Sequence, residues 1–344
     1  MGLSGSLALS LAELDIAKVL MCGQSFRWRV EGDEHLGVFA GRLWGLKQTP
    51  THLHYRVLLP KSGDGEDDDV EPCLRRYFQL DVSLPPLYAT WAKKDPKFAG
   101  LGDEWGGIRI LAQDPIETIF AFICSSNNHI GRISSMVEKL ARFYGDVIGV
   151  WDDRTYYNFP RVEALVGVEA KLRSEAFGYR AGYISATAQK IVDSGGVSWV
   201  EGLRGKDYED ARAQLQTLTG VGRKVADCIC LMSLGFPATI PVDTHIHQVA
   251  KTYLPHLTKA KTLNDKVYSE ITTFFKELYG PYAGWAHSVL FASTLRHLQT
   301  EKNNKTDLEK KKTPATKKPS PESHQETTDT QLQAPQKKRN RTKR

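Results

Sequence analysis

Two short segments place reactive side chains at the starts of successive helices. In Leu218-Thr219-Gly220-Val221-Gly222-Arg223-Lys224, two glycines flank one apolar residue. That pattern allows a tight turn between an amphipathic helix over Tyr208 to Thr217 and a second over Val225 to Leu234, which Gly235 and Pro237 end. The amides opening the second helix have no partners within it and sit at the positive end of its dipole, so the turn is an anion site. A DNA phosphate is a natural occupant; a glycine-capped interhelical loop is the plainer alternative, because a lone Gly-x-Gly is a weak signal. In Pro241-Val242-Asp243-Thr244-His245, Asp243 reads as an N-cap. Lys224 and Asp243 thus begin consecutive helices and can face one cleft. A partly desolvated lysine beside a helix N-terminus gives up its proton more readily, and the neutral amine is a nucleophile. Taken singly, Lys224 also fits a surface lysine on phosphate, and Asp243 a simple cap.

The elements that must hold these residues follow from hydrophobic period. Phe26, Trp28 and Val30 alternate with polar residues, as do Leu53, Tyr55, Val57 and Leu59. Between them His35 to Leu46 is rich in aromatic and β-branched residues with glycine breaks, so an antiparallel meander is expected. The acidic run Gly63 to Glu71 reads as a solvated loop. From about Gly107 the period becomes helical. Asp114-Pro115-Ile116-Glu117 supplies an N-cap, a proline at N1 and a glutamate at N3. Ile116, Ile119, Phe120 and Ile123 then form one face; Ile133, Met136, Val137 and Leu140 form another stripe, stopped by Gly145. Further helices are expected over 183–193, 208–217, 223–234, 244–253, 265–279 and 283–297. The class is α+β: an N-terminal antiparallel sheet with flanking helices over 1–105, a helical domain over 106–300 and a basic, disordered tail over 301–344, with the site in the cleft between the first two.

Bulk properties narrow the function classes. The chain has 344 residues, 41% of them hydrophobic, enough for a sizeable core. No apolar run reaches the ~18 residues of a membrane span, and Met1 to Leu20 lacks the pattern of a signal peptide. Five cysteines, an odd number in a long chain, argue against a secreted disulfide framework, and no Cys-x-x-Cys pair supports zinc. Residues 301–344 carry 13 Lys/Arg against 6 Asp/Glu, so the remainder of a chain with net charge +6 sums to −1. A polyanion-binding surface on the folded part therefore requires positive charge concentrated on one face. The tail is too polar to bury a core. Its clusters, Lys310-Lys311-Lys312, Lys317-Lys318 and Lys337 to Arg344, fit nuclear import or non-specific DNA contact, or simply solubility.

The stretch from Asp207 to Thr252 resembles the helix–hairpin–helix, Gly-Pro-Asp superfamily of DNA glycosylases, and within it the eukaryotic 8-oxoguanine DNA glycosylase family. The resemblance covers nearly all of 1–300. It is carried by Gly23-Gln24-Ser25-Phe26-Arg27-Trp28-Arg29, Arg76 to Asp81, Gln113 to Glu117, Phe122 to Asn128, Gly178 to Ala181 and Gly280 to Ala286. It implies a monomeric bifunctional enzyme of the nucleus, or of the nucleus and the mitochondrion, acting on double-stranded DNA that contains 8-oxoguanine opposite cytosine. Lys224 would attack C1′, expel the base and leave a Schiff base that permits β-elimination, with Asp243 stabilising the cationic sugar or activating the lysine. Gly23 would offer its carbonyl to the N7–H that only the oxidised base carries, since guanine N7 is a bare acceptor. Pro241, Asp243, Cys228, His287 and Phe291 would complete the base pocket, although Cys228 and Phe291 lie on helical apolar faces and also fit a core. Asn127 would fill the vacated stack and Tyr179 wedge beside it, as extrusion costs a few kcal/mol. Arg132 and Arg180 would read the orphan cytosine, and His245, Gly220 and Gly222 would contact phosphate; read alone, these arginines and the histidine fit surface charges.

The chain departs from the family pattern in three places. Thr219 replaces a usual proline, His247-Gln248 replaces an aromatic-containing pair, and His287 stands where a glutamine usually reads the edge of the lesion. Imidazole offers one hydrogen bond in that plane where an amide offers two, so lesion preference is expected to be broader or pH-sensitive. The resemblance implies no required cofactor, a structural cation on the carbonyls of Gln216, Leu218 and Val221, and no iron–sulfur cluster, because no cysteine follows Cys230. Two rival readings are a glycosylase for alkylated or other oxidised bases, disfavoured by Gly23, and a non-catalytic DNA-binding module, which does not require Lys224 and Asp243 together.

Overall fold

The alternating segments between Trp28 and Leu59 pair into a curved antiparallel sheet that wraps apolar side chains against helices. The structure is a computed structural model and describes residues 3–61, 70–101, 103–259 and 262–294. Its five strands are β1 (Ser4–Ala8), β2 (Trp28–Glu31), β3 (Glu34–Phe39), β4 (Arg42–Gln48) and β5 (His52–Leu59), in the order β1-β5-β4-β3-β2. The expected meander is present as β2 to β5. Strand β1, which sequence reading did not anticipate, adds to the edge of β5 with Gly5 opposite Tyr55. The sheet packs Trp28, Trp44, Leu46, Leu53 and Val57 against helices α1 (Ile16–Val19) and α2 (Val70–Tyr77).

Two further helices, α3 (Leu84–Lys94) and α4 (Pro96–Ala99), precede the expected domain boundary at 105/106. Their Leu84, Trp91 and Phe98 share a core with Ile246, Ile271, Phe275 and Trp285 from the far end of the chain. The other helices are α5 (Pro115–Ser125), α6 (Ile130–Tyr144), α7 (Glu169–Ser174), α8 (Arg180–Asp193), α9 (Val197–Gly202), α10 (Tyr208–Leu215), α11 (Arg223–Met232), α12 (Thr244–Tyr253), α13 (Asp265–Tyr279) and α14 (283–294). Asp114 caps α5 as expected, accepting from the Glu117 amide at 2.8 Å. The stripe Ile133, Met136, Val137 and Leu140 is buried. Helix α11 is shared between cores: Ala226, Ile229 and Cys230 face α5, α8 and α10, while Leu231 joins the core of α3, α12, α13 and α14.

The structure corrects several sequence boundaries. Helix α10 ends at Leu215 rather than Thr217 and α11 runs Arg223–Met232 rather than to Leu234, because Gln216 to Gly222 form the turn. Helix α8 begins three residues before 183. A hairpin, β6 (Val147–Trp151) and β7 (Arg154–Tyr157), interrupts the region read as helical. Asp152 and Asp153, both at positive φ, make its two-residue turn. The C-terminal part of the expected 283–297 helix, most of the acidic run 63–71 and the tail 301–344 lie outside the described residues.

One buried cation ties the sheet side to the helices. Arg109 is 1% exposed and donates to the carbonyls of Glu13, Phe78, Gln79 and Val82 and to the Glu13 carboxylate, at 2.7 to 3.1 Å. Burial pushes its pKa down to about 10, against the pull of Glu13. Arg109→Met leaves those acceptors buried and unpaired and is expected to cost about 3–5 kcal/mol. Urea unfolding checks this; an unchanged midpoint would mean that the five acceptors find other donors.

Candidate active site

The turn before α11 is shaped by one glycine and the ring beneath it. Gly220 has φ +84°, and a Cβ there would lie 2.6 Å from the Tyr183 ring. Only glycine takes this conformation without strain, and only glycine fits the space. The neighbouring Thr219 carbonyl accepts from Thr187 Oγ1 at 2.8 Å, which anchors the turn on α8. Threonine at 219, where proline was expected, leaves this geometry intact. Gly222 caps α11 without a side chain, so the first amides of the helix are left to an outside acceptor.

Lys224 occupies the first turn of α11 and is half-buried. Its Nζ lies 5.0 Å from the centroid of the Phe122 ring of α5, and Phe26, from the segment leading into β2, meets the same ring edge-on at 5.7 Å. The thiol of Cys228 lies one turn further along α11; burial raises its pKa to about 11, against the lowering pull of the Lys224 charge. Among the described residues, no carboxylate comes within ion-pair range of Lys224. Asp243 caps α12, its Oδ1 accepting from the Ile246 amide at 2.8 Å. Its charge reaches both Cys228 and His287.

His287 is 5% exposed, and neither ring nitrogen has a hydrogen-bond partner of normal geometry. Burial, reinforced by the Lys224 charge, pulls its pKa down to about 4; Asp243 and the nearby Pro241 carbonyl oppose this but do not prevail. The ring is therefore neutral near pH 7. It stacks near-parallel with Phe291, centroids 6.4 Å apart, and His245 meets Phe291 at 6.2 Å. Lys224, Cys228, Pro241, Asp243, His245, His287 and Phe291 thus form one connected group.

Gly23 enters from the sheet side. It has φ +87°, and its missing Cβ would meet Ile130 at 3.3 Å. The loop is fixed by Gln24, whose amide donates to the Arg109 carbonyl at 2.9 Å and accepts from the Leu111 amide at 3.0 Å. Gln113 donates to the Gln24 carbonyl at 2.7 Å, and its own amide donates to the Met232 carbonyl of α11 at 2.9 Å.

The remaining predicted residues gather where α5 ends. Asn127 has φ +48°. Tyr179, 45% exposed, donates to the Ser126 carbonyl at 3.0 Å, and Arg180 donates to the carbonyls of Ser126 and Asn127. Arg132 donates to the Ala176 carbonyl at 3.1 Å. In this state Arg180 is buried and engaged by the Ser126–Asn127 loop rather than presented to solvent. Tyr179 also meets Tyr183, the ring under Gly220, at 5.4 Å. Among the described residues there is no cluster of three or more His, Cys, Asp or Glu suited to a metal. The Leu218 carbonyl accepts the Val221 amide at 3.1 Å and keeps a second lone pair. Sequence reading missed the contact of Phe122 with Lys224 and the buried Asp227 on α11; a carboxylate on an otherwise apolar helix face was the available signal.

Comparison with known proteins identifies the family. The family model described as 8-oxoguanine DNA glycosylase, N-terminal domain, matches residues 6–119, and that described as HhH-GPD superfamily base excision DNA repair protein matches residues 120–277. The chain is 37% identical over 332 residues to the N-glycosylase/DNA lyase of Saccharomyces cerevisiae, covering 85% of this chain and 86% of the yeast protein. It is 38% identical over 299 residues to N-glycosylase/DNA lyase OGG1 of Arabidopsis thaliana, covering 84% and 80%. Its fold matches that of MBOgg1, solved in complex with a low affinity DNA ligand, with TM-score 0.74 at 28% identity, over 86% of this chain and 97% of that one. The chain belongs to the eukaryotic 8-oxoguanine DNA glycosylase/lyase family of helix–hairpin–helix base-excision repair proteins, and is a DNA glycosylase with lyase activity.

Gly220→Ala is expected to weaken duplex DNA binding by about tenfold or more, since the strained turn no longer aims its amides outward. Fluorescence anisotropy on a labelled duplex measures this; wild-type affinity would exclude the turn from the DNA interface.

Proposed function

We propose that this enzyme excises 8-oxoguanine opposite cytosine in duplex DNA and then cleaves the strand, with Lys224 as the nucleophile. The observation that carries this reading is the lysine itself: an amine on the first turn of α11, between an aromatic ring and a buried thiol, whose charge and that of Asp243 both reach the unpartnered His287. The neutral amine forms a bond from Nζ to C1′ while the C1′–N9 bond breaks and its electron pair leaves with the base. Loss of the amine proton and opening of the sugar ring give the Schiff base; removal of a C2′ proton then expels the 3′ phosphate. Asp243, fixed by the α12 amide, stabilises the positive charge that develops on the sugar. Gly23 offers its carbonyl to N7–H of the lesion. Cys228 and Phe291 flank the base, and Asn127, Tyr179, Arg132 and Arg180 attend the opened pair. The first amides of α11 and His245 take phosphates, and a cation on the carbonyls of Gln216, Leu218 and Val221 adds to the same contact. The basic tail is suited to nuclear import or to added affinity for DNA.

His287 carries the departure from the family pattern. Because its ring stays neutral well below pH 6, it presents one donor and one acceptor nitrogen throughout the range in which the enzyme is assayed, which supports a broadened lesion preference over a pH switch. His287→Gln is expected to shift the ratio of excision rates among several oxidised purines by about two- to tenfold, the worth of one hydrogen bond, equally at pH 6 and pH 8. An unchanged ratio removes His287 from lesion reading.

Borohydride trapping on a duplex with one 8-oxoguanine opposite cytosine tests the assignment of the nucleophile. A covalent adduct is expected with wild-type protein and lesion together, and not with undamaged duplex or with Lys224→Gln. An adduct retained by Lys224→Gln would transfer the chemistry to another amine; lesion binding lost in that variant would contradict a purely chemical role.

A further inference from the structure

The carboxylate of Asp227 is fully buried on α11, three residues beyond Lys224. A buried carboxylate is costly unless each oxygen is satisfied. Here Oδ1 accepts from Tyr208 of α10 and Oδ2 from Tyr268 of α13, each at 2.6 Å. A phenol has one proton to donate. Burial and the Asp227 charge push the Tyr268 pKa up, so the proton stays on the phenol and points at the carboxylate. The Tyr268 oxygen is then free to accept, and it accepts from the Val242 amide at 3.0 Å. Val242 is the residue immediately before Asp243.

A directed chain therefore runs from the Val242 N–H through the Tyr268 hydroxyl to the Asp227 carboxylate. Among the described residues no hydrogen bond joins α11 directly to the 240–243 segment, so this phenol is the polar link between the two. The other side of the same ring holds Arg223, the neighbour of Lys224: its guanidinium lies 4.2 Å from the ring centroid and donates to the Asp265 carbonyl at 3.2 Å and to Ser269 Oγ at 2.9 Å. Tyr268 thus touches the residue before Lys224 and the residue before Asp243 at once. The sequence signals nothing of this, because Tyr268 lies on an ordinary amphipathic helix.

We propose that Tyr268 is a positioning residue for base excision, holding the helix start that carries Lys224 in register with the turn that carries Asp243, with Asp227 as its anchor. The inference rests on the assignment of Lys224 and Asp243 made above. Tyr208 shares the anchor but touches neither segment, so it serves as the internal control: Tyr208→Phe removes a hydrogen bond of the same length from the same carboxylate.

The experiment compares wild type, Tyr268→Phe and Tyr208→Phe in full-length protein. Single-turnover excision and Kd are measured on a duplex with one 8-oxoguanine opposite cytosine, with borohydride adduct yield and thermal unfolding midpoint recorded for each. Both variants should lose similar stability. Tyr268→Phe should excise about ten- to a hundredfold more slowly at unchanged Kd, as displacement of reacting groups by a fraction of an ångström predicts, while Tyr208→Phe stays within twofold of wild type. Asp227→Leu, which leaves both phenols without their acceptor, should fall with Tyr268→Phe, and it decides the matter if Tyr268→Phe does not fold. Equal slowing by both tyrosine variants, a loss confined to Kd, or a wild-type rate in Tyr268→Phe overturns the positioning role. Absence of an adduct with wild-type protein instead overturns the Lys224 assignment and this inference with it, so the two failures are told apart by which protein fails.

Discussion

The turn between α10 and α11 is the constraint on which the site depends. Seven residues, Gln216 to Gly222, reverse the chain between two helices that pack in the same core. The reversal passes through Gly220 at φ +84°, pressed on the Tyr183 ring. Because that residue cannot carry a side chain, α11 begins close to α8, and its unpaired amides and its first-turn lysine emerge at one surface. Tyr183 is in contact with Tyr179, and Tyr179 with the Ser126 carbonyl that follows α5. The turn, the exposed tyrosine and the Asn127 loop are therefore parts of one packed assembly.

Electrostatics at the site work against a nearly neutral background. The chain outside residues 301–344 sums to −1, so attraction for DNA cannot come from bulk charge on the folded part. Within the folded part, positive potential has to be concentrated locally, as at the unpartnered amides that open α11, while residues 301–344 carry a net +7. The interior of the site is arranged with the opposite economy. His287 is held neutral by burial, and the Cys228 thiol is held protonated. The interior of the cluster is thus lined by neutral hydrogen-bonding and apolar groups.

Much of this was legible in the sequence because it depends on local rules. Asp114 and Asp243 announced their helices through the capping pattern, and both side chains make the cap bonds. The meander of β2 to β5 followed from alternation. Boundaries of α10 and α11 were missed by two residues because the apolar period continues through Leu218 and Leu234 into segments that the turn and the following Gly235 withdraw from the helix. The β6–β7 hairpin was missed because Asp152-Asp153 is a turn without glycine, and both residues accept positive φ only because the strands on either side hold them there. Asp227 could have been noticed as a carboxylate on an otherwise apolar helix face, but Tyr268 could not. It lies on an amphipathic helix whose pattern is explained by packing, and its partnership with Asp227 is a property of three-dimensional contact between α11 and α13.

The same distinction separates the two sides of the cleft. On the helical side, Lys224 and Asp243 are close in sequence to the elements that orient them, and their placement at two helix starts could be read from spacing. On the sheet side, Gly23 is oriented by residues far away along the chain: Gln24 is fixed by the backbone of Arg109 and Leu111, and Gln113 carries the connection on to the Met232 carbonyl at the end of α11. The helix that begins with the lysine therefore ends on the strut that fixes the glycine loop. Both components of the site are referenced to α11, one at each terminus, and the helix acts as the ruler between them. Helix α11 is also shared between two cores, with Val225 to Leu231 buried, and close packing on both faces holds the Lys224 turn and the Gly23 loop at a fixed separation.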